Sequence, residues 1–475
     1  MRTKYVWEKI LPVSVGLMLY ELAAGSSFYL MELSLVLLAG SFLLEERKLF
    51  VQLPRTITAL GQELKRLCWV WIFLGLYLGW EIVTLSYSIY PEGVFDKYKV
   101  VFLMVCFTIL ILWYRQKGTN SEFLMDSRRK TLLFVFAVSA MTAAVFSVIN
   151  ISFPVLYPVL YGRRLSLRLD YNLFSQVVLF GLIAGETLIG ARQENILCKK
   201  RLFLWLVCAP AVVLSSSRRN TIFLLCFFVW TVLYTEVKIK KEETDSLGKY
   251  SLKAIVSWKS VLQWAAVLMG VIVLTGLMQI YLDWQYERME ERARLENREV
   301  TGISDGSALE RYEQIAQGGG ESKRKIIWSV AIREYADFSL TEKLTGKGFG
   351  YDRLLYQKTD DRELLEAYAP ESRSLLSAHC FVLADLLNSG LIGAVLGILV
   401  WAAIGVRLLK MLLAGEKGTM FFVITLGITF ANNLISNRYG FLYDKYFWLL
   451  FYCNIFRHFE QNINFHHNIV SSNQK

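Results

Sequence analysis

The sequence predicts an all-α, polytopic integral membrane protein with about twelve transmembrane helices and one large extracytoplasmic loop bearing short helices. Three observations predict it. Of 475 residues, 54% are hydrophobic and 14% aromatic, with positive mean hydropathy, which is more apolar material than a soluble core of this length buries. Apolar runs of near-spanning length recur along most of the chain, and the cations between them alternate in density from one connection to the next.

A spanning helix needs about 20 apolar residues, fewer where aromatic or cationic residues anchor its ends. Such runs lie near 8–25, 28–44, 68–87, 100–114, 131–150, 173–190, 202–215, 220–237, 261–282, 380–406, 419–436 and 441–456. The first two and the seventh are short. No cleavable signal sequence is expected, because the run from Ile10 to Ala24 lacks a small-residue cleavage site and leads straight into another. No internal repeat at a fixed period is found.

Lys and Arg concentrate on cytoplasmic connections. Starting inside at Arg2, Lys4 and Lys9, the alternate connections carry Arg47-Lys48, Arg115 with Lys117 and Arg128-Arg129-Lys130, Lys199-Lys200-Arg201, Lys238 with Lys240-Lys241, and Arg407 with Lys410. Both termini then fall in the cytoplasm. The expected organisation is helices 1–9 over residues 1–282, an outer-face loop over 283–378, helices 10–12 over 379–456 and a cytoplasmic tail over 457–475. The formal net charge of +11 is accounted for by this topology, and no basic patch with stacking aromatics points to nucleic acid. The cysteines lie mostly inside apolar runs without CxxC spacing, so neither a metal site nor a disulfide frame is expected.

Some outer connections break the charge bias. The segment 151–172 carries Arg163, Arg164 and Arg168, and the tight connection Ser215-Ser216-Ser217-Arg218-Arg219-Asn220 sets two arginines at the outer boundary. Cations placed there invite an anionic partner, with lipid phosphate the competing occupant for Arg163 and Arg164. Pro210 predicts a kink just before that connection. The acids Glu21, Glu32, Glu81, Glu186 and Asp385 fall within or near apolar runs, where structural pairing is the first expectation.

In the loop, Trp284–Arg298 reads as a charged extension of the ninth span, and Gly302–Gly320 as a flexible connection. A helix is expected from about Ser322 to Asp337, with Ile327, Trp328, Ala331 and Tyr335 as its apolar stripe. Gly346, Gly348 and Gly350 predict a tight turn but lack the strand and helix context of a nucleotide-binding fingerprint. The loop ends at His379, where the apolar pattern resumes. Arginine forks can hold a pyrophosphate while a histidine takes a proton from an attacking hydroxyl, so Arg168, Arg218, Arg324 and His379 together suit transfer from a phosphate leaving group.

The run His379-Cys380-Phe381-Val382-Leu383-Ala384-Asp385-Leu386-Leu387-Asn388-Ser389 followed by Gly390-Leu391-Ile392-Gly393 resembles the segment after the large periplasmic loop of the O-antigen ligase and polysaccharide polymerase superfamily. Leu214–Arg218 is similar to the family's Ser-Arg turn, and Asp170-Tyr171-Asn172 to its Asp-Pro-Asn loop. Arg324–Trp328 is similar to its arginine-to-tryptophan helix start, Gly346–Gly350 to its Gly-x-Gly turn, and Leu85–Ser88 with Pro91 to its third-span exit. The chain departs from the pattern at Cys380, where Asn is usual, and at Asn388, where an acid is common.

The resemblance implies a GT-C-like fold and a metal-independent, cofactor-free, inverting glycosyltransferase of the cytoplasmic membrane. Its donor would be an undecaprenyl-pyrophosphate-linked oligosaccharide and its acceptor another lipid-linked glycan, as in a polymerase, or a surface acceptor, as in a ligase. Carried over by position, Arg218 and Arg324 would bind pyrophosphate, with Arg168, Asn172 and Arg219 beside them, and His379 would activate the acceptor hydroxyl. Membrane lipids and a chain-length regulator are the further partners it implies. A multi-pass transporter or lipid-linked oligosaccharide flippase is the alternative class.

Overall fold

The computed structural model describes residues 6–25, parts of 30–40, 69–90, 122–152, 164–190 apart from 169, 196–243, 258–295, 324–373, 376–413, 419–435 and 444–450. The span expected near 100–114, Arg163, Glu32 and the connection Gly302–Gly320 lie outside them, as does most of the span near 28–44.

Among the described residues every regular element is a helix. In chain order these are α1 (Val6–Ala24), α2 (Trp69–Leu85), α3 (Glu122–Ser152), α4 (Tyr171–Gly190), α5 (Lys199–Leu214), α6 (Arg218–Glu243), α7 (Trp258–Leu295), α8 (Arg324–Asp337), α9 (Leu340–Thr345), α10 (Tyr351–Lys358), α11 (Arg362–Ala367), α12 (Pro370–Arg373), α13 (Phe381–Leu413) and α14 (Thr419–Ile435), and residues 445–450 are also helical. Four stretches are long and apolar enough to cross a bilayer: Lys130–Ser152, Tyr171–Gly190, Trp258–Arg292 and Phe381–Leu413. Pro12–Ala24, Ile72–Leu85 and Thr419–Ile435 are apolar but shorter. The described residues are therefore all-helical, with several helices of the length and composition of a membrane protein.

The chain forms two compact units, one of residues 1–10, 35–125 and 320–475, the other of 11–34 and 126–319. In the second unit α4 is the central helix, with nearly every side chain from Phe174 to Glu186 buried. Small residues allow the close approach. A Cβ on Gly181 would fall 2.0 Å from Ala140 Cβ and 2.5 Å from the Phe136 carbonyl of α3, and one on Gly185 would fall 2.5 Å from Leu204 of α5. Glu186 is the one acid on this helix, and it is paired: Arg201 Nε lies 3.1 Å from Glu186 Oε1, and Trp205 Nε1 donates to the same oxygen at 2.7 Å. Arg201, counted above among the cytoplasmic cations, thus faces inward. Trp205 in turn packs on Phe227, Phe228 and Trp264, joining α5 to α6 and α7.

Helix α7 runs unbroken for 38 residues, about 57 Å at 1.5 Å per residue, well beyond the roughly 30 Å of a bilayer core. Its charged end, Glu287–Arg294, is the helical extension expected from the sequence.

In the first unit the short helices of the loop between α7 and α13 have a core of their own. Ile327, Val330 and Ala331 of α8 pack with Phe338, Tyr351, Leu354, Leu355, Tyr356 and Leu364, and Trp328 and Tyr335 lie against them. Tyr90, after α2, and Leu387 of α13 complete the cluster, which fastens the loop to the apolar helices. Capping sets the local order: Ser339 and Glu342 form a capping box at α9, and Asp361 accepts from Leu364 N at the start of α11.

Helix α13 is broken at Gly390, whose φ of 65° and ψ of −165° interrupt the helical path. The span read as 380–406 is thus two helical segments. A break inside an apolar element leaves backbone carbonyls without helical partners, which is costly where water is absent. Here three of them are satisfied from outside the helix: Lys347 N donates to Leu387 O at 3.0 Å, Gly348 N to Asn388 O at 2.9 Å, and Trp80 Nε1 of α2 to Ser389 O at 2.9 Å. The turn 346–350 lies in the gap. Its other side is held by the exit of α2, where Ser88 Oγ donates to Phe349 O and Tyr87 Oη to Thr345 O, each at 2.6 Å.

Candidate functional site

The expected site residues fall into both units, and each group is built by its own local chemistry.

In the second unit, residues 164–168 run beside the end of α5, with Leu165 N donating to Leu214 O at 2.9 Å. The connection that follows α5 turns on Ser216, a non-glycine residue at φ 59°. Ser215 Oγ donates to Val212 O at 2.6 Å and receives Ser217 N at 3.3 Å, so the serines close the turn on themselves. Helix α6 then begins at Arg218, with no acid in its first turn. Asn220 donates from Nδ2 to Asn172 O at 3.0 Å and to Ser175 Oγ at 2.5 Å, and Ser217 Oγ donates to Asn172 Oδ1 at 2.8 Å. Asn172 N is itself held by Asp170 Oδ1 at 3.1 Å. Two motifs some 45 residues apart in sequence therefore form one hydrogen-bonded structure, in which the N-termini of α4 and α6 lie side by side.

Of the arginines here, Arg218 and Arg219 are half-buried at the start of α6. Arg164 is buried, with its guanidinium carbon 4.5 Å from the centre of the Tyr171 ring. Arg168 has a structural task. Its Nη1 donates to Glu21 O at 3.2 Å and Leu22 O at 3.1 Å, where α1 ends at Gly25 in the left-handed conformation. A cation on the last carbonyls of a helix offsets their partial negative charge. Asn172 is likewise an organiser of the two helix starts, because its Oδ1 and main-chain O are both engaged.

In the first unit Arg324 opens α8, which also lacks an acid in its first turn. Arg324 lies close enough to Tyr368 for its charge to oppose the upward pull of burial on that phenol. His379 is half-buried two residues before α13 and adopts φ 52°. The next helix starts at once, with Ala384 N donating to Cys380 O at 2.9 Å. Left-handed backbone costs a residue with a Cβ roughly 1–2 kcal/mol. Among the described residues, Ser216 and His379 are the non-glycine residues that adopt it.

The turn 346–350 is tied to α8 by a charged cluster. Lys347 Nζ lies 2.9 Å from Glu334 Oε1 and 4.3 Å from the centre of the Phe338 ring, and the Tyr351 hydroxyl also donates to Glu334. Partial burial would raise the Glu334 carboxyl, but the hydrogen bonds from Tyr351 and Lys347 outweigh it and hold the group below its usual range. Burial, helped by the bond to Glu334, pushes Tyr351 up to about 12.

Sequence reasoning missed a pair behind this turn. Asn388, just before the break, accepts from Asp352 N at 2.9 Å and donates from Nδ2 to Asp352 Oδ1 at 3.1 Å. Burial pushes the Asp352 carboxyl up to about 6, although the Asn388 bond, the Arg353 charge and the backbone amides of Arg353 and Ala378 favour its charged form. Only its place just after the glycine turn could have marked Asp352 in the sequence. Below the turn, Ser389 Oγ donates to Glu81, and Tyr77 Oη bonds both oxygens of Asp385 at 3.0 Å, so these acids are held by hydroxyl groups. Among the described residues no group of three or more His, Cys, Asp or Glu side chains is arranged to hold a metal ion.

No protein-family model matches the chain, and no curated protein matches it significantly.

Proposed function

We propose that the protein is a glycosyltransferase of surface-polysaccharide assembly, acting on an undecaprenyl-pyrophosphate-linked glycan at the outer face of the cytoplasmic membrane, with polymerisation preferred over ligation. One observation carries the reading. Arg218 and Arg324, the two arginines expected to hold pyrophosphate, each stand at the first residue of a helix with no acid in the first turn. A cation there opposes the helix dipole, and an anion relieves the conflict because both the guanidinium and the N–H groups of the first turn attract it. The strained backbone at Ser216 and His379, one beside each of the sequence features that carry the chemistry, supports the same reading.

In this reading Arg218 and Arg324 bind the donor's pyrophosphate and stabilise the charge that develops as it departs. Arg219 adds to the field, while Arg168 and Asn172 hold the architecture behind them. His379 takes the proton of the acceptor hydroxyl as its oxygen bonds to the anomeric carbon. The bond from that carbon to the phosphate oxygen breaks, undecaprenyl pyrophosphate leaves, and the anomeric configuration inverts. The topology belonging to this reading has about twelve spans and both termini in the cytoplasm.

The test is transfer by the purified protein in lipid nanodiscs, supplied with a lipid-linked repeat unit and followed on a gel. A ladder of products is the expected result, and His379→Ala should abolish it at normal protein level. A single transfer to an added acceptor would convert the assignment to a ligase. No lipid-dependent transfer by wild-type protein would refute both.

A further inference from the structure

Helix α9 sits where two apolar helices of the first unit meet the loop. A Cβ on Gly390 would fall 2.3 Å from Leu344 O, so the last turn of α9 abuts the break in α13. Tyr87, at the exit of α2, donates to the next carbonyl, Thr345 O. Tyr335 of α8 donates to Lys343 O at 3.0 Å, and the capping box of Ser339 and Glu342 fixes the start of the helix. So many ties place this six-residue helix firmly, yet both of its leucines are left bare: Leu340 is 78% exposed and Leu344 43%. Four residues apart, they share one face.

The flanking helices indicate what covers that face. Beyond Gly390, α13 exposes Leu391, Val395 and Ile398, while α2 and its exit expose Leu76, Val83 and Tyr87. Both helices are apolar and α13 is long enough to cross a bilayer, so lipid is the medium these side chains meet. The depth of Gly390 follows from charge. Arg407 and Lys410 stand toward the far end of α13, and the charge-free run Gly390–Val406 measures about 26 Å at 1.5 Å per residue, close to the roughly 30 Å of a hydrocarbon core. With Arg407 at one boundary, Gly390 falls at the other, and Leu344 falls there with it. The remaining positions of α9, Thr341, Glu342, Lys343 and Thr345, are polar, as a helix lying in the interface plane requires. We propose that α9 is a membrane-interface anchor: Leu340 and Leu344 insert at the edge of the bilayer that α13 crosses and moor the short helices α8 to α12 to its surface. The partner is the lipid surface itself. Contact of this kind is independent of the reaction proposed above and holds whichever chemistry the protein performs.

Two measurements on the full chain test this anchor. In proteoliposomes of phosphatidylethanolamine and phosphatidylglycerol, the photoreactive residue p-benzoylphenylalanine placed at Leu340 or Leu344 should give phospholipid adducts on irradiation, read by mass spectrometry, as it should at Leu391 of α13. At Glu366, whose side chain is 66% exposed on α11 and paired with Arg362, adducts should be at least about tenfold fewer, because a charged pair is kept out of hydrocarbon. Crosslinks from Leu340 and Leu344 to a second copy or to another segment of the same chain, without lipid adducts, would overturn the proposal, and so would adducts as frequent at Glu366. The second measurement is hydroxyl-radical oxidation of the wild-type chain in nanodiscs, which needs no substitution and decides alone if the substituted chains do not accumulate. Leu340 is 78% exposed and Leu365 of α11 40%, so water over both would oxidise Leu340 faster. Under lipid the order reverses, with Leu340 the slower by about threefold. Oxidation of Leu340 at a rate equal to or above that of Leu365 overturns the proposal even if adducts form.

Discussion

Gly348→Ala is the sharpest perturbation of the junction between the turn 346–350 and α13. Gly348 has φ 96°, and a Cβ there would fall 2.6 Å from Ser88 Cα and 2.9 Å from Ser88 N. Both neighbours are backbone, held by the Ser88 hydroxyl bond to Phe349 O, so the turn rather than a flexible side chain must yield. The conformational penalty is roughly 1–2 kcal/mol and the overlap adds roughly 1–3 kcal/mol. Moving the turn also withdraws Gly348 N from Asn388 O, a carbonyl freed by the helix break, for about 1–3 kcal/mol more. The sum is roughly 3–8 kcal/mol, enough to detach the turn locally even where the rest of the helices stay packed. The control is Gly405→Ala, farther along α13, where a Cβ meets nothing within 4 Å. Its expected effect is neutral, or stabilising by up to about 1 kcal/mol, as for Gly→Ala in a helix. The assay is thermal unfolding of both variants in the same detergent, with amide exchange over residues 346–350 and 387–389. Equal melting temperatures and equal protection at 387–389 would refute the account of the turn as the partner of the broken helix.

Four further outcomes are expected. Glu186→Ala strands the Arg201 guanidinium, 3% exposed, and should destabilise by about 3–5 kcal/mol; a Glu186→Leu, Arg201→Met pair that melts no higher than the single variant would count against a charge-pair cause. Arg218→Lys should cut glycan transfer at least about tenfold at unchanged membrane level, because an ammonium cannot reproduce a bidentate fork; activity near wild type would remove Arg218 from pyrophosphate binding. Asn220→Ala removes the donors to Asn172 and Ser175 and should loosen the paired starts of α4 and α6 by about 1–3 kcal/mol, measured as faster amide exchange at residues 172–175. The Asp352 carboxyl, pushed up to about 6, binds more protons in the folded than in the unfolded chain, so its contribution is most favourable below pH about 4 and is lost as pH rises to about 6. The difference corresponds to about 3 kcal/mol, and the pH dependence of wild-type melting should be lost in Asp352→Asn.

The legibility of the sequence followed the range of the interactions. Helices α4 to α7 were readable because their apolar runs are local and continuous, and α8 because its stripe at 327, 328, 331 and 335 has helical period. Gly346, Gly348 and Gly350 announced a turn, and all three adopt positive φ. What the turn meets was invisible, because the break at Gly390 lies inside a run that is apolar on average, although Asp385, Asn388 and Ser389 precede it. Hydropathy averages over such a break, whereas the partners that make it tolerable, Trp80, Lys347 and Gly348, are remote in sequence. Arg201 shows the same limit in reverse. Its neighbours Lys199 and Lys200 made it look like one more loop cation, and only the fold brings Glu186 to it. For the candidate site, residue types pointed to the arginine-bearing turn at 215–220, while the roles of Arg168 and Asn172 as structural ties depended on α1 and α6, which no local pattern links to them.

The break in α13 also determines what sets the position of His379. In an unbroken spanning helix the residues at its outer end are placed by the depth of the helix in the bilayer. Here the segment from Phe381 to Ser389 ends at Gly390 and is tied at its last carbonyls to the turn 346–350 and to Trp80. A Cβ on Gly390 would lie 2.3 Å from Leu344 O and 2.5 Å from Gly346 N, so the end of α9 and the break fit each other at backbone contact. His379 therefore precedes a helical segment whose far end is tied to the turn 346–350 and, through Leu387, to the core around α8 and α10. Substitutions that loosen the loop core, such as Tyr356→Ala at a fully buried position, should reduce transfer through His379 while the apolar helices remain inserted. Loss of insertion with retained specific activity in the surviving protein would show the opposite dependence.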